Sequence, residues 1–256
     1  LPSLVVHHVS VREVMFADVA GMLLPIVGII LGIGVIAYWS ARWLIGSPAV
    51  TAGSVHQASI RLNGVVMIAL IPALLGEGVW PYVVVMTSVW PALSSTASIV
   101  VYARATGANR SPWQMALAVL KNPVVVAVLL GSFFNLAGLG PVIETLSVFK
   151  LLSLAALPVG LLAAGAVRAL DMSITAAGAA LDFSSLRQTG LPTLLATVLK
   201  MAVMPAAMWL TCTGLGLPLL VTQIMVISAA LPSSPSGYVL ASQMGGDGKT
   251  MASAIT

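Results

Sequence analysis

The chain has 256 residues, of which 59% are apolar and 7% charged, with a formal net charge of +4 and a mean hydropathy of +1.06. Soluble domains carry about a quarter charged residues, so this sequence cannot cover a water-facing surface and reads as an integral membrane protein. The single cysteine, Cys212, lies in an apolar stretch and excludes a disulfide, a zinc pair or a redox motif; it reads as a small buried hydrophobe.

A helix needs about 20 apolar residues to cross the bilayer core. In chain order, the run "LPSLVVHHV" ends one span at 1–11, and further spans fall at 21–44, 54–76, 79–103, 122–139, 146–167, 190–214 and 221–244. "MASAIT" starts another near 250. Opening inside one apolar run without a Met and stopping inside another, the chain reads as a piece of a longer protein, and no signal peptide is visible. The segments are long and continuous, so helices fit and the short alternating strands of a barrel do not.

Basic residues alternate between connections. Arg42, Arg104, Arg110, Lys121, Arg168, Arg187 and Lys249 fall on one side; Arg12, with Glu13, Asp18, Glu77 and Glu144, falls on the other. The basic side is cytoplasmic, and a missed helix would scramble the alternation. Lys150 sits near a span end and can snorkel. Arg61 and Lys200 lie within spans, where a cation costs several kcal/mol, about 2.5–3.5 on insertion scales. Lys200 reads as a structural partner to a helix end or a carboxylate.

Two spans are interrupted. In "HQASIRLNGVVMIALIPALLG", residues 56–76, the polar group Ser59, Arg61, Asn63 and Gly64 stands mid-span, with Pro72 beyond. In "ALPSSPSGYVLASQMGGDGKT", residues 230–250, Pro232 and Pro235 lack an N–H and Gly237 follows. Freed backbone groups are tolerated at this depth only against protein, a cavity or a ligand. The second break comes five helices after the first, as in secondary transporters built from inverted repeats, where half-helix N-termini face an anion. Simple kinks are the bland alternative, since membrane helices carry more Pro and Gly than soluble ones.

"RLNGVVMIAL" and "LPSSPSGYVLASQMGGD" resemble the two crossover segments of the auxin efflux carrier family, more closely its bacterial malonate, malate or general organic-anion permeases. The match rests on Arg61 and Asn63, and on Tyr238, Leu240, Ala241, Gln243, Gly245, Gly246 and Asp247. "LPSLVVHHVS" is similar to the family's second helix, and "AALPVGLLAAGA" with "ALDFSSLR" to its seventh. Two departures stand out: Val5 where plant carriers have serine, and a near-duplication of "AAGAVRALDMS" (163–173) as "AAGAALDFS" (176–184).

The resemblance covers essentially the whole chain and implies an all-α polytopic membrane protein with a ten-helix (5+5) inverted-repeat fold and two broken crossover helices. By this register the first helix and most of the last are missing. Residues 1–105 would hold the remainder of the first repeat, 106–121 a cytoplasmic linker, and 122–256 the second repeat. It further implies elevator-type transport of small organic anions such as malonate or malate, an inner-membrane location and a homodimer. An auxin-like aromatic carboxylate is the alternative cargo.

By the same resemblance, Asn63 contacts the substrate carboxylate, with Gly64 starting the second half-helix and Ser59 close by. Arg61 either bonds the anion in bidentate fashion or holds freed carbonyls. Pro235, Ser236, Gly237 and Tyr238 would line the opposing break, while Pro232, Ser234, Gln243 and Lys200 support it. Coupling to a proton or sodium ion is expected, with His7 the candidate titrating group; His8 and His56 are expected nearer a surface. An intramembrane hydrolase using Ser236 needs a histidine base within reach, and a non-transporting receptor would not need two polar breaks. No cofactor, metal cluster or phosphate loop is indicated.

Overall fold

A computed structural model of the chain describes residues 16–107, 183–234 and 236–255, with single positions between 108 and 182. Among the described residues every regular element is helical. The expected spans at 1–11, 122–139 and 146–167, the near-duplication at 163–184, and Val5, His7, His8, Lys150 and Pro235 lie outside them.

Helix α1 (Phe16–Trp39) runs into a π-helical turn, Ser40–Leu44. Gly21–Leu44 is a 24-residue apolar span, about 36 Å at 1.5 Å per residue and enough for a core of about 30 Å. The chain then turns at Gly46, φ 73°, and Pro48 caps α2 (Ala49–Ile60). This helix has only 12 residues, about 18 Å, so it stops part-way across. Arg61 is extended (φ −79°, ψ 136°), and α3 (Gly64–Leu75), also 12 residues, completes the crossing. The expected 54–76 span is therefore two half-helices, and it starts earlier than the apolar run.

After a 3-10 turn at Glu77–Val79, α4 (Trp80–Ala105) crosses in one piece. Helix α5 (Phe183–Val198) bends at Gly190 (φ 41°), and a π-helical segment, Leu199–Val203, joins it to α6 (Met204–Gly214). Pro205 explains that segment: with no N–H to give, it breaks the α-helical ladder and shifts its register. Gly190–Gly214 forms the third long apolar span among the described residues, beside Gly21–Leu44 and Trp80–Ala105.

The second interruption follows the local plan of the first. Gly216 has φ 67°, Pro218 caps α7 (Leu219–Ala230, 12 residues), and Leu231 is extended (φ −68°, ψ 144°). Helix α8 (Ser236–Gln243) continues, and α9 (Gly248–Ile255) begins after a turn. Both broken helices thus open on Gly-x-Pro and stop after the same length.

Helix α2 is the hub, packed against α1, α4, α5 and α9 and touching α8. Ala52 through Ile60 are buried without exception, although they include Ser54, His56, Gln57 and Ser59. A helix buried on every face with polar groups in it must find partners for them. At its N-terminal end Thr51 donates to Asp247 at 3.0 Å, and Asp247's amide donates to Ser54 Oγ at 2.9 Å. A Cβ placed on Gly246 would lie 2.6 Å from Tyr102 Cε1, so only glycine allows that approach. The connections bearing Arg42, Arg104 and Lys249 therefore gather at one end, in agreement with the charge alternation.

Candidate functional site at the two helix breaks

The second break, at Ser233, Ser236 and Gly237, folds onto the end of α2, where freed backbone groups need partners. Trp90 Nε1 on α4 donates to Ile60 O at 2.8 Å, and Ser233 Oγ in the second break donates to Ala58 O. Arg61 was one expected holder of these carbonyls. Instead its Nη2 donates to Ser236 Oγ at 2.9 Å, linking one break to the other. Ser236 Oγ also lies 2.8 Å from Ser234 Oγ. The Arg61 Nη1 is buried with no hydrogen-bond partner among the described residues.

A second tie runs through Gln57. Its Nε2 donates to Gly237 O at 3.2 Å, and its Oε1 accepts from Tyr102 Oη at 2.7 Å. Tyr102 Oη also lies 3.1 Å from Ser54 Oγ, which accepts the Asp247 amide. A hydrogen-bonded line thus runs from Asp247 to the start of α8. Asp247 itself caps α9. Burial pushes its pKa up, but bonds from the Thr250 hydroxyl and amide, the Thr51 hydroxyl and the Lys249 amide outweigh burial and leave it below the ordinary value.

The other expected residues fall as follows. Asn63 is 8% exposed and caps α3, its Oδ1 accepting from Val66 N at 3.3 Å; the side-chain NH2 is left to donate elsewhere. Gly64 opens α3, so its amide and that of Val65 stand at a half-helix N-terminus. Ser59 turns its hydroxyl back onto Val55 O at 2.8 Å inside α2. Gly237 is packed so tightly that a Cβ would sit 2.2 Å from Met251 Cε and 3.1 Å from Arg61 Cδ. Tyr238 is exposed, with its ring against Gly248. Pro232 and Gln243 are exposed, Gln243 at the end of α8, and Ser234 is half-buried.

Lys200 is 2% exposed and contacts no carboxylate among the described residues. Its Nζ lies 3.4 Å from Met204 Sδ and 5.5 Å from the centroid of the Trp90 ring. Because Trp90 holds Ile60 O, Lys200 supports the first break at one remove. His56 is a correction: it is 5% exposed, not near a surface, with Nδ1 2.9 Å from Gly34 O. The room comes from Gly34, where a Cβ would lie 2.6 Å from His56 Cε1. Ser236, the nucleophile a hydrolase would need, is bonded to Arg61 and Ser234, and its hydroxyl meets no histidine among the described residues. Cys212 is fully buried against Met225 Sδ, as a small hydrophobe should be.

Gln57, Trp90, Tyr102 and Ser233 were missed from sequence. Each sits in a span whose local pattern is unremarkable, and their roles arise from pairings across the fold. One signal was available: "GSP" before α2 and "GLP" before α7 mark where both broken helices start.

Long apolar helices, two half-helices meeting another pair at mid-span, and a half-buried cation between them define a multi-pass membrane protein. Over residues 1–256 the chain matches the family described as membrane transport protein, and it belongs to that family. This is the family to which the residues of the two breaks pointed. No curated protein matches the chain.

Proposed function

We propose that this membrane transport protein is a secondary carrier of small organic anions, with malonate or malate the first candidates, and that the anion binds where the helix breaks meet. The observation that carries this reading is Arg61. Its guanidinium bridges the breaks through Ser236, while its Nη1 is buried without a partner among the described residues. A carboxylate could accept a charge-assisted bond from that nitrogen. The Asn63 NH2 and the amides of Gly64 and Val65 at the start of α3 would complete the polarity expected around an anion.

The shared Gly-x-Pro start, half-helix length and extended residue at the breaks support two related halves, 1–105 and 122–256, in a ten-helix inverted-repeat fold. Alternating access would follow from moving the crossing against a scaffold in an elevator manner, in the cytoplasmic (inner) membrane and as a homodimer.

The test is binding of a labelled carboxylate panel, including malonate, malate and an aromatic acid, to protein purified in detergent. Arg61→Ala and Asn63→Ala are expected to abolish binding while the protein still inserts and melts cooperatively. Normal binding by both variants would remove the crossing as the site. Uptake into proteoliposomes, with and without an imposed proton gradient, then reads direction and coupling.

A further inference from the structure

The second mid-span cation has no role in that scheme beyond support. Lys200 lies in the π-helical segment Leu199–Val203, a ladder irregularity of a kind often found at functional sites. Its Nζ faces a thioether at 3.4 Å and an indole ring at 5.5 Å. A thioether is a weak acceptor and a ring face carries only a partial charge. Neither replaces the hydration that an ammonium loses when it is buried.

Among the described residues no counter-ion is at hand. The segment packs against α5, α6, α7 and α2, and Trp90 brings α4 to it. Those helices carry no Asp or Glu. Their titratable and charged residues are Arg187 on α5, Cys212 on α6, His56 on α2 with Arg61 at its end, and Tyr82, Tyr102 and Arg104 on α4; α7 has none. His56 meets Gly34 O through Nδ1 while its Nε2 is buried without a partner among the described residues, and Tyr102 is bonded to Gln57. Asp18, Glu77 and Asp247 sit at helix ends or in turns outside this set.

The position of Lys200 supplies the link. Trp90 carries the lysine on its ring face and donates its N–H to Ile60 O, the residue before Arg61. Only one side chain therefore separates the amine from the crossing. Unlike arginine, a lysine can give up its proton. An anion at the crossing would favour the charged amine, and by linkage the charged amine favours the anion by the same factor.

We propose that Lys200 is the proton site of the carrier, its amine taking up a proton more readily when the anion is bound than when the crossing is empty. The step is a plain protonation: one proton from water adds to the Nζ lone pair as the anion arrives, and leaves with it. That proton offsets one of the two charges of a dicarboxylate as it crosses, and the empty carrier need not return with an unpaired ammonium. Across a separation of roughly 10 Å at an effective dielectric of about 20, the coupling is worth about tenfold in affinity.

This inference rests on the anion-carrier reading, so the experiment separates the two. Purified full-chain protein in detergent receives a dicarboxylate that stays ionised across the pH range used. Binding is followed by a labelled ligand and proton uptake by an indicator dye. The wild type is expected to take up at most about half a proton per anion, in the pH range where the free and the anion-bound amine differ in protonation, with affinity falling about tenfold across that range. Lys200→Met should bind about tenfold more weakly at low pH, with a flat profile and no uptake. Lys200→Arg, which cannot release its charge, should bind tightly at every pH without uptake, and should exchange anions across proteoliposomes while failing to accumulate them in a proton gradient. A purely structural lysine would lower stability in both variants and leave the pH profile intact, which overturns the assignment. So does a profile abolished by His7→Gln or His56→Gln and kept by Lys200→Met. If the wild type binds none of the acids, the carrier reading falls and this inference with it; binding without Lys200-dependent uptake overturns the inference alone.

Discussion

Replacing Gln57 by leucine would test whether the two breaks are held together as described. Gln57 is fully buried and makes two bonds, donating to Gly237 O at 3.2 Å and accepting from Tyr102 Oη at 2.7 Å. Leucine is close in volume, so little cavity or overpacking arises and the loss is mainly the bonds. Each is worth about 0.5–1.5 kcal/mol net, and interhelical bonds in membranes average near the lower end, about 0.6 kcal/mol. Tyr102 keeps Ser54 Oγ at 3.1 Å, so its hydroxyl is not orphaned. The expected destabilisation is thus about 1–2 kcal/mol. In a chain of this size that lowers the melting temperature by about 2–8 °C. Thermal unfolding in a fixed detergent, read by tryptophan fluorescence, measures it. A cycle with Tyr102→Phe sharpens the test: both changes remove the same bond, so the double variant should fall short of additivity by about 0.5–1 kcal/mol. An unchanged melt would refute the tie between α2 and α8, and strict additivity would refute the bond between Gln57 and Tyr102 of α4.

Trp90→Phe keeps a ring under Lys200 but strands Ile60 O, and should cost about 1–3 kcal/mol in the same melt. Gly34→Ala drives a methyl into His56, 2.6 Å from Cε1, and should cost about 1–3 kcal/mol; the further change His56→Ala should recover part of that loss by making room. Asp247 supplies a pH dependence with a definite sign. Its native pKa is lowered, so its contribution is present above its unfolded value of about 3.9 and is lost as pH falls through the lower native value. Acid melts of Asp247→Asn should therefore lose less stability than the wild type on going below about pH 4, and parallel curves would exclude the group.

How much of this could be read from residues alone differs by kind of information. Membrane class follows from bulk composition. The continuous spans are marked by unbroken apolar runs: 21–44 lies within the helical stretch 16–44 and 190–214 within 183–214. The breaks were visible because proline, glycine and a mid-span arginine are expensive in hydrocarbon wherever they occur. Helix starts were placed late, at 54 and 221 instead of 49 and 219, because apolar runs were weighed and the Gly-x-Pro punctuation was not. His56 was misplaced for a different reason. What buries it is the missing side chain of Gly34 on another helix, and no local pattern around residue 56 records that. Gln57, Trp90 and Ser233 are of the same kind: their meaning depends on which carbonyl each meets across the fold.

The same distinction explains why two cations tolerated in the membrane need not play the same part. Arg61 is fixed in charge and placed at the seam, where Ser236 takes one of its nitrogens and another has no partner among the described residues. A permanent charge at a seam can hold an anion in every state of the cycle, so by itself it supplies affinity and no coupling. Lys200 is set back behind Trp90, away from direct contact with the backbone break, yet one side chain from it. A titratable charge in that place can respond to whether the seam is occupied without competing for the anion. Exchanging the two residue types would separate these properties. Arg61→Lys should keep measurable binding while losing the bidentate geometry that a guanidinium offers a carboxylate. Lys200→Arg should keep affinity while uncoupling it from pH.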